Sequence, residues 1–81
     1  MITITTRYSG PTNTRGSRVT ASATVDGRRV TARVPFDHAA GIYGTHEQAA
    51  RALGAKLGAV KVYAASEGTR TGWRFAAAVS A

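Results

Sequence analysis

Apolar and polar residues alternate through the first half of the chain. Ile2, Ile4, Thr6 and Tyr8 fall on one face of an extended segment, with Thr3, Thr5 and Arg7 on the other. That period of two predicts a strand. Ser9 to Ser17 is dense in Gly, Pro, Asn and Ser and reads as a loop. Alternation then resumes and runs across Asp26-Gly27, a two-residue turn that needs positive φ. Pairing Val25 with Arg28 sets the register. Ala23 then meets Val30, Ala21 meets Ala32 and Val19 meets Val34, all apolar and on one face. The intervening pairs, Thr24 with Arg29, Ser22 with Thr31 and Thr20 with Arg33, are polar. Agreement on both sides of a turn predicts a hairpin over residues 18 to 34.

Pro35-Phe36-Asp37-His38 ends that strand, and Gly41 and Gly44 bracket a turning stretch. The period then changes. Thr45 with Gln48 three residues later fits a capping box, and Ala49, Ala52, Leu53, Lys56 and Leu57 continue at helical spacing up to Gly58. One helix is predicted near residues 46 to 57, and its narrow, Ala-rich stripe requires close approach to a sheet. Ala59 to Ala64 reads as a strand, with Val60, Val62 and Ala64 in phase, and Glu67 to Gly72 as a turn. Trp73 to Val79 reads as a last strand with Trp73, Phe75, Ala77 and Val79 on one face. The order β-β-β-α-β-β predicts an α+β fold: a mainly antiparallel sheet of about five strands with one helix packed on one face. The expected core is Val19, Ala21, Ala23, Val30, Ala32 and Val34 of the hairpin with Leu53, Leu57, Val62, Trp73 and Phe75. The other face would carry Thr3, Thr5, Arg7, Thr20, Thr24, Arg29, Thr31 and Arg33, and an antiparallel sheet can leave such a face wet.

Composition narrows the functional classes. The 81 residues suit a single domain, 1–81. Hydrophobic residues make up 43%, but 16 of them are Ala and only two are Leu, so the core must be thin. Without Cys there is no disulfide, thiolate metal site or Cys nucleophile. No apolar run approaches the roughly 18 residues of a membrane span. The alternating N-terminus lacks the apolar block of a signal peptide, so a cytoplasmic location is expected. Two His and four carboxylates are a poor stock for acid–base chemistry, and no catalytic residue, metal or cofactor is expected. His46 reads as a first-turn helix residue.

Charge supplies the positive expectation. Eleven Lys and Arg against four Asp and Glu give +7, and nine of the eleven are Arg. Arg suits planar, two-pronged contact with phosphate or carboxylate. The candidate binding residues are Arg7, Arg15, Arg18, Arg29, Arg33, Arg70 and Arg74, with Asn13. In Thr12-Asn13-Thr14-Arg15-Gly16-Ser17-Arg18, small polar residues let backbone N–H groups converge on an anion between two Arg, although the spacing is not that of a P-loop. A positive surface of this kind attracts nucleic acid or an acidic protein partner. A coding bias towards G and C would also enrich Arg and Ala over Lys.

The loop Gly10-Pro11-Thr12-Asn13-Thr14-Arg15-Gly16-Ser17-Arg18, the segment Glu47 to Gly58 and the closing Gly72-Trp73-Arg74-Phe75 resemble small proteins carried by bacterial phages, plasmids and integrated elements. The resemblance covers most of the chain and carries no catalytic residues with it. It implies a non-enzymatic binder in a host bacterial cell, of which anti-CRISPR inhibitors are one kind. A basic inhibitor cannot mimic DNA. It would need an acidic surface on its target, such as a Cas effector, or a complex bearing nucleic acid. The expectation is therefore an anti-CRISPR-type inhibitor of a host nucleic-acid-handling complex, with direct, largely sequence-independent DNA or RNA binding as the alternative. The element order is not that of a double-stranded-RNA-binding domain, because a first helix is missing.

Overall fold

The structure is a computed structural model that describes residues 2–10 and 16–79. Its elements are β1 (Ile2–Ser9), β2 (Arg18–Val25), β3 (Arg28–Pro35), α1 (Gly41–Lys56), β4 (Ala59–Val62), the two-residue β5 (Glu67–Gly68) and β6 (Trp73–Val79). The strands form one antiparallel sheet in the order β3-β2-β1-β6-β4, with β5 also paired to β6. The helix packs across one face. The α+β architecture predicted from the pattern is the one observed, with β5 as a short addition inside the predicted turn.

The β2–β3 hairpin has the expected register throughout, from Val25 opposite Arg28 to Val19 opposite Val34. Asp26 at φ 52° and Gly27 at φ 77° make the turn between them. Because β1 pairs Thr6 with Ala21 and Ile4 with Phe75, the apolar positions of three adjacent strands line up under the helix. Ile4, Val19, Ala21, Phe75 and Ala77 are buried there against Ala49, Ala50 and Leu53. Val30, Ala32, Val34, Leu57, Val62 and Trp73, expected in the core, are only partly buried. Most of them lie on β3 and β4 at the two edges, where a single helix cannot cover them. Ile4, Ala49, Ala50 and Ala77 fill the centre instead.

Small residues set the helix-to-sheet distance. A Cβ on Gly54 would lie 2.6 Å from Val62 Cγ2, so the helix crosses β4 about as closely as a backbone can. The helix stops as predicted, with Gly58 at φ 74° and its N–H on the Ala55 carbonyl.

The helix start differs from the prediction by more than a turn. It begins at Gly41, and the supposed cap, Thr45, is buried in the second turn. Among the described residues, no side chain caps the N-cap residue, Ala40; Asp37 instead fixes the turn that leads into the helix, its Oδ1 accepting the N–H of Ala39 at 3.0 Å and of Ala40 at 3.3 Å while Gln48 Nε2 donates to Oδ2 at 2.9 Å. Those bonds, led by the one from Gln48, hold the Asp37 carboxyl below the usual carboxylate range. The Thr45 hydroxyl donates to the Gly41 carbonyl at 2.8 Å and accepts the Asp37 N–H at 3.2 Å, tying the second turn to the incoming chain. The extra turn moves His46 out of the first turn to a position 1% exposed. On β4, a register shift between Ala59 and Lys61 turns Val60 outward to 72% exposure, which breaks the expected phase of Val60 with Val62.

Candidate functional site

The outer face of the sheet is built by register. Arg33 pairs with Thr20 and Thr20 with Arg7, placing Arg33, Thr20 and Arg7 in one row across three strands. The next row is Thr31, Ser22, Thr5, Arg74 and Glu67. Arg29 and Thr24 begin the third, and Arg18 stands beside Ser9 and Pro35 at the opposite end. Five expected arginines, Arg7, Arg18, Arg29, Arg33 and Arg74, therefore share one face, separated by Thr and Ser. All but the half-buried Arg18 are exposed. Lys61 joins them from β4, opposite Ala78, and lies 4.9 Å over the Tyr63 ring. The acid on this face is Glu67, which forms an ion pair with Arg74.

Arg18 has an unusual environment. With Gly16, Ser17, Arg33, Val34 and Pro35 it lines a shallow pocket of about 380 Å³. Its Nη1 is buried and finds no hydrogen-bond acceptor among the described residues. A cationic donor kept out of water without an acceptor is costly, and an oxyanion would remove that cost.

Two expected residues, Asn13 and Arg15, lie outside the described residues. Arg70 is not on the arginine face. It sits in the turn after β5 and lines a cleft of about 710 Å³ at the end of the sheet, where the helix starts. Tyr8, Phe36, Ile42, Trp73 and His46 form the walls, and Gly68 to Gly72 run along the rim. Sequence reasoning did not place this cleft, because it joins positions from both ends of the chain.

Its floor is a polar knot. The Thr6 hydroxyl accepts the Trp73 N–H at 3.1 Å, and its oxygen lies 3.2 Å from the Trp73 carbonyl oxygen and 2.7 Å from His46 Nδ1. The hydroxyl has one hydrogen. Given to the Trp73 carbonyl, it requires a protonated Nδ1 and leaves Nε2 an acceptor. Given to Nδ1, it makes Nε2 a donor. Burial pushes the His46 pKa below the ordinary value, so the ring is neutral at pH 7. Gly72 closes the knot: a Cβ there would run into the Thr6 carbonyl and approach His46 Cε1 to 3.0 Å.

Comparison with protein-family models, with curated proteins and with solved structures returns no match. Among the described residues, no helix is long and apolar enough to cross a membrane, and no cluster of three His or carboxylate side chains could hold a metal ion.

Proposed function

We propose that the protein works by binding, with the arginine face of its sheet laid against the phosphate backbone of a nucleic acid. The observation that carries this reading is the shared face of Arg7, Arg18, Arg29, Arg33 and Arg74, with Glu67 as its acid. Arg7 and Arg33 are two strands apart, about 10 Å, and Arg29 and Arg33 are four residues apart, about 13 Å. Charges spread in this way suit a line of phosphates better than one small anion. The Thr and Ser hydroxyls between them are the other side chains that phosphate oxygens accept from. The sheet offers no helix for a groove and its outer face presents few base-reading groups, which favours contact without strong sequence preference. In a mobile-element setting, such a face would engage nucleic acid either free or carried by a host complex.

The test is a salt titration of binding to single- and double-stranded DNA and RNA by fluorescence anisotropy. Micromolar or tighter binding near physiological salt is expected, with log Kd rising steeply with log salt. The double variant Arg29→Glu, Arg33→Glu should weaken binding at least tenfold and flatten the slope by about 0.7 to 0.9 for each phosphate no longer neutralised. Binding that disappears by physiological salt would refute this reading and turn attention to an acidic protein surface, the docking mode of an anti-CRISPR-type inhibitor.

A further inference from the structure

We propose that the aromatic cleft at the end of the sheet holds an unstacked base of the bound strand. This rests on the reading above and adds a second site to it. The cleft's volume, about 710 Å³, falls within the range of small-molecule sites. Its walls are aromatic and braced. Phe36 meets Tyr8 edge-on at 5.9 Å between ring centroids, and Trp73 meets His46 edge-on at 4.7 Å. Rings fixed by perpendicular neighbours lose little freedom when a ligand stacks on them. Ile42 stands at the lip, 63% exposed, although it begins a helix whose other large apolar residues face the sheet. The core does not need it there.

The polar groups narrow the ligand. Arg70 is the charged side chain lining the cleft, and it is exposed. His46 Nδ1 is committed to Thr6, which leaves Nε2, without a hydrogen-bond partner among the described residues, as the nitrogen His46 can offer. Rotation of the Thr6 hydroxyl between the Trp73 carbonyl and Nδ1, with the ring proton exchanged through solvent from Nδ1 to Nε2, makes Nε2 either acceptor or donor. A flat apolar slot with one adaptable hydrogen-bonding nitrogen at its floor and a guanidinium at its rim fits a planar heteroaromatic ring joined to a phosphate. Every nucleobase satisfies that description, so the site is tolerant of sequence. Arg7 is adjacent to Tyr8 and on the opposite face of β1. The Tyr8 N–H is bonded to the Thr71 carbonyl of the rim. A strand crossing the arginine face can therefore turn over this end of the sheet and place a base in the cleft.

Trp73 is the chain's one Trp, so its fluorescence reports the cleft directly. The experiment compares a short single-stranded oligonucleotide, the same oligonucleotide with abasic sites throughout, and AMP. The intact strand should bind about tenfold more tightly than the abasic one and change Trp73 emission, while the abasic strand should bind with unchanged emission. Ile42→Glu should remove the base-dependent part and leave the salt slope, whereas Arg70→Ala should weaken it and lower the slope by one phosphate's share, about 0.7. Glu at position 42 lies in the first helical turn, where a negative charge favours the helix, so unfolding would not mimic the loss. Arg29→Glu, Arg33→Glu should do the reverse, flattening the slope while AMP still perturbs Trp73. Equal binding of intact and abasic strands with constant emission would overturn the cleft proposal and leave the arginine face standing. An AMP response without strand binding would uphold the cleft as a nucleotide site and overturn the face.

Discussion

The two faces of the sheet come from the same strands and obey opposite rules. Beneath the helix every position is constrained by its neighbours: Ile4, Val19, Ala21, Phe75 and Leu53 are fully buried, and Gly54 leaves no room for a methyl group. On the outer face Arg7, Arg29, Arg33 and Arg74 stand in solvent, with only Arg18 half-buried among its arginines. Packing fixes the residues of the first face, whereas the second is free to carry whatever its partner demands. Nine arginines in a chain with a thin core are therefore a statement about the outside of the molecule.

That contrast can be tested by substitution. Phe75→Ala should have the largest effect on stability, about 3 to 5 kcal/mol, because it empties the centre of the covered face. For a domain whose total stability is only about 5 to 15 kcal/mol, chemical denaturation should show a variant close to unfolded. Gly72→Ala should come next, at about 1 to 3 kcal/mol, since the new methyl group must displace the rim from the Thr6 carbonyl. It should also shift Trp73 emission in the native state, marking the damage as local.

The third effect depends on pH. Folding lowers the His46 pKa, so below about 6.5 the unfolded chain takes up a proton that the folded chain refuses. Thermal stability should therefore fall as pH drops from 7 to 5, and His46→Gln should flatten that slope. Asp37 acts at lower pH. Its carboxyl is depressed by the bonds from Gln48, Ala40 and Ala39, so its contribution is complete above the ordinary Asp value and is lost as pH falls through its own. Hydrogen exchange should show the turn at Ala39 and Ala40, leading into α1, opening there before the rest. The smallest change in stability, within about 0.5 kcal/mol, is expected for Arg29→Glu, Arg33→Glu, the pair that should matter most to binding. A large destabilisation in that variant would show that the two faces are not independent.

The hairpin was legible in the sequence because its constraints are local: one turn and a period of two decide every pair from Val25–Arg28 to Val19–Val34. The arginine face was legible for the same reason, and the bulge on β4 moved Val60, not Lys61, off its expected face. The helix start was misread because Thr45 and Gln48 resemble a local cap, while Gln48 in fact reaches back eleven residues to Asp37 in the turn that leads into the helix. The cleft was illegible for a different reason. Thr6 and Trp73 are 67 positions apart, and nothing in the pattern around either marks the His46 that joins them. The alternation placed Thr6 on the face of Ile2 and Ile4 but gave no sign of what its hydroxyl would meet there.

β3 forms one border of the sheet, and its outward backbone is protected at one point, where Lys56 Nζ donates to the Thr31 carbonyl at 3.0 Å. An unpaired strand border invites a second molecule to extend the sheet. Here the border carries Arg28, Arg29 and Arg33. Two such strands brought together antiparallel would confront cation with cation. The charges proposed to attract a polyanion would then also keep the chains from stacking on one another. Neutralising them to abolish binding should give a protein that aggregates on concentration, while reversing their sign should keep it in solution.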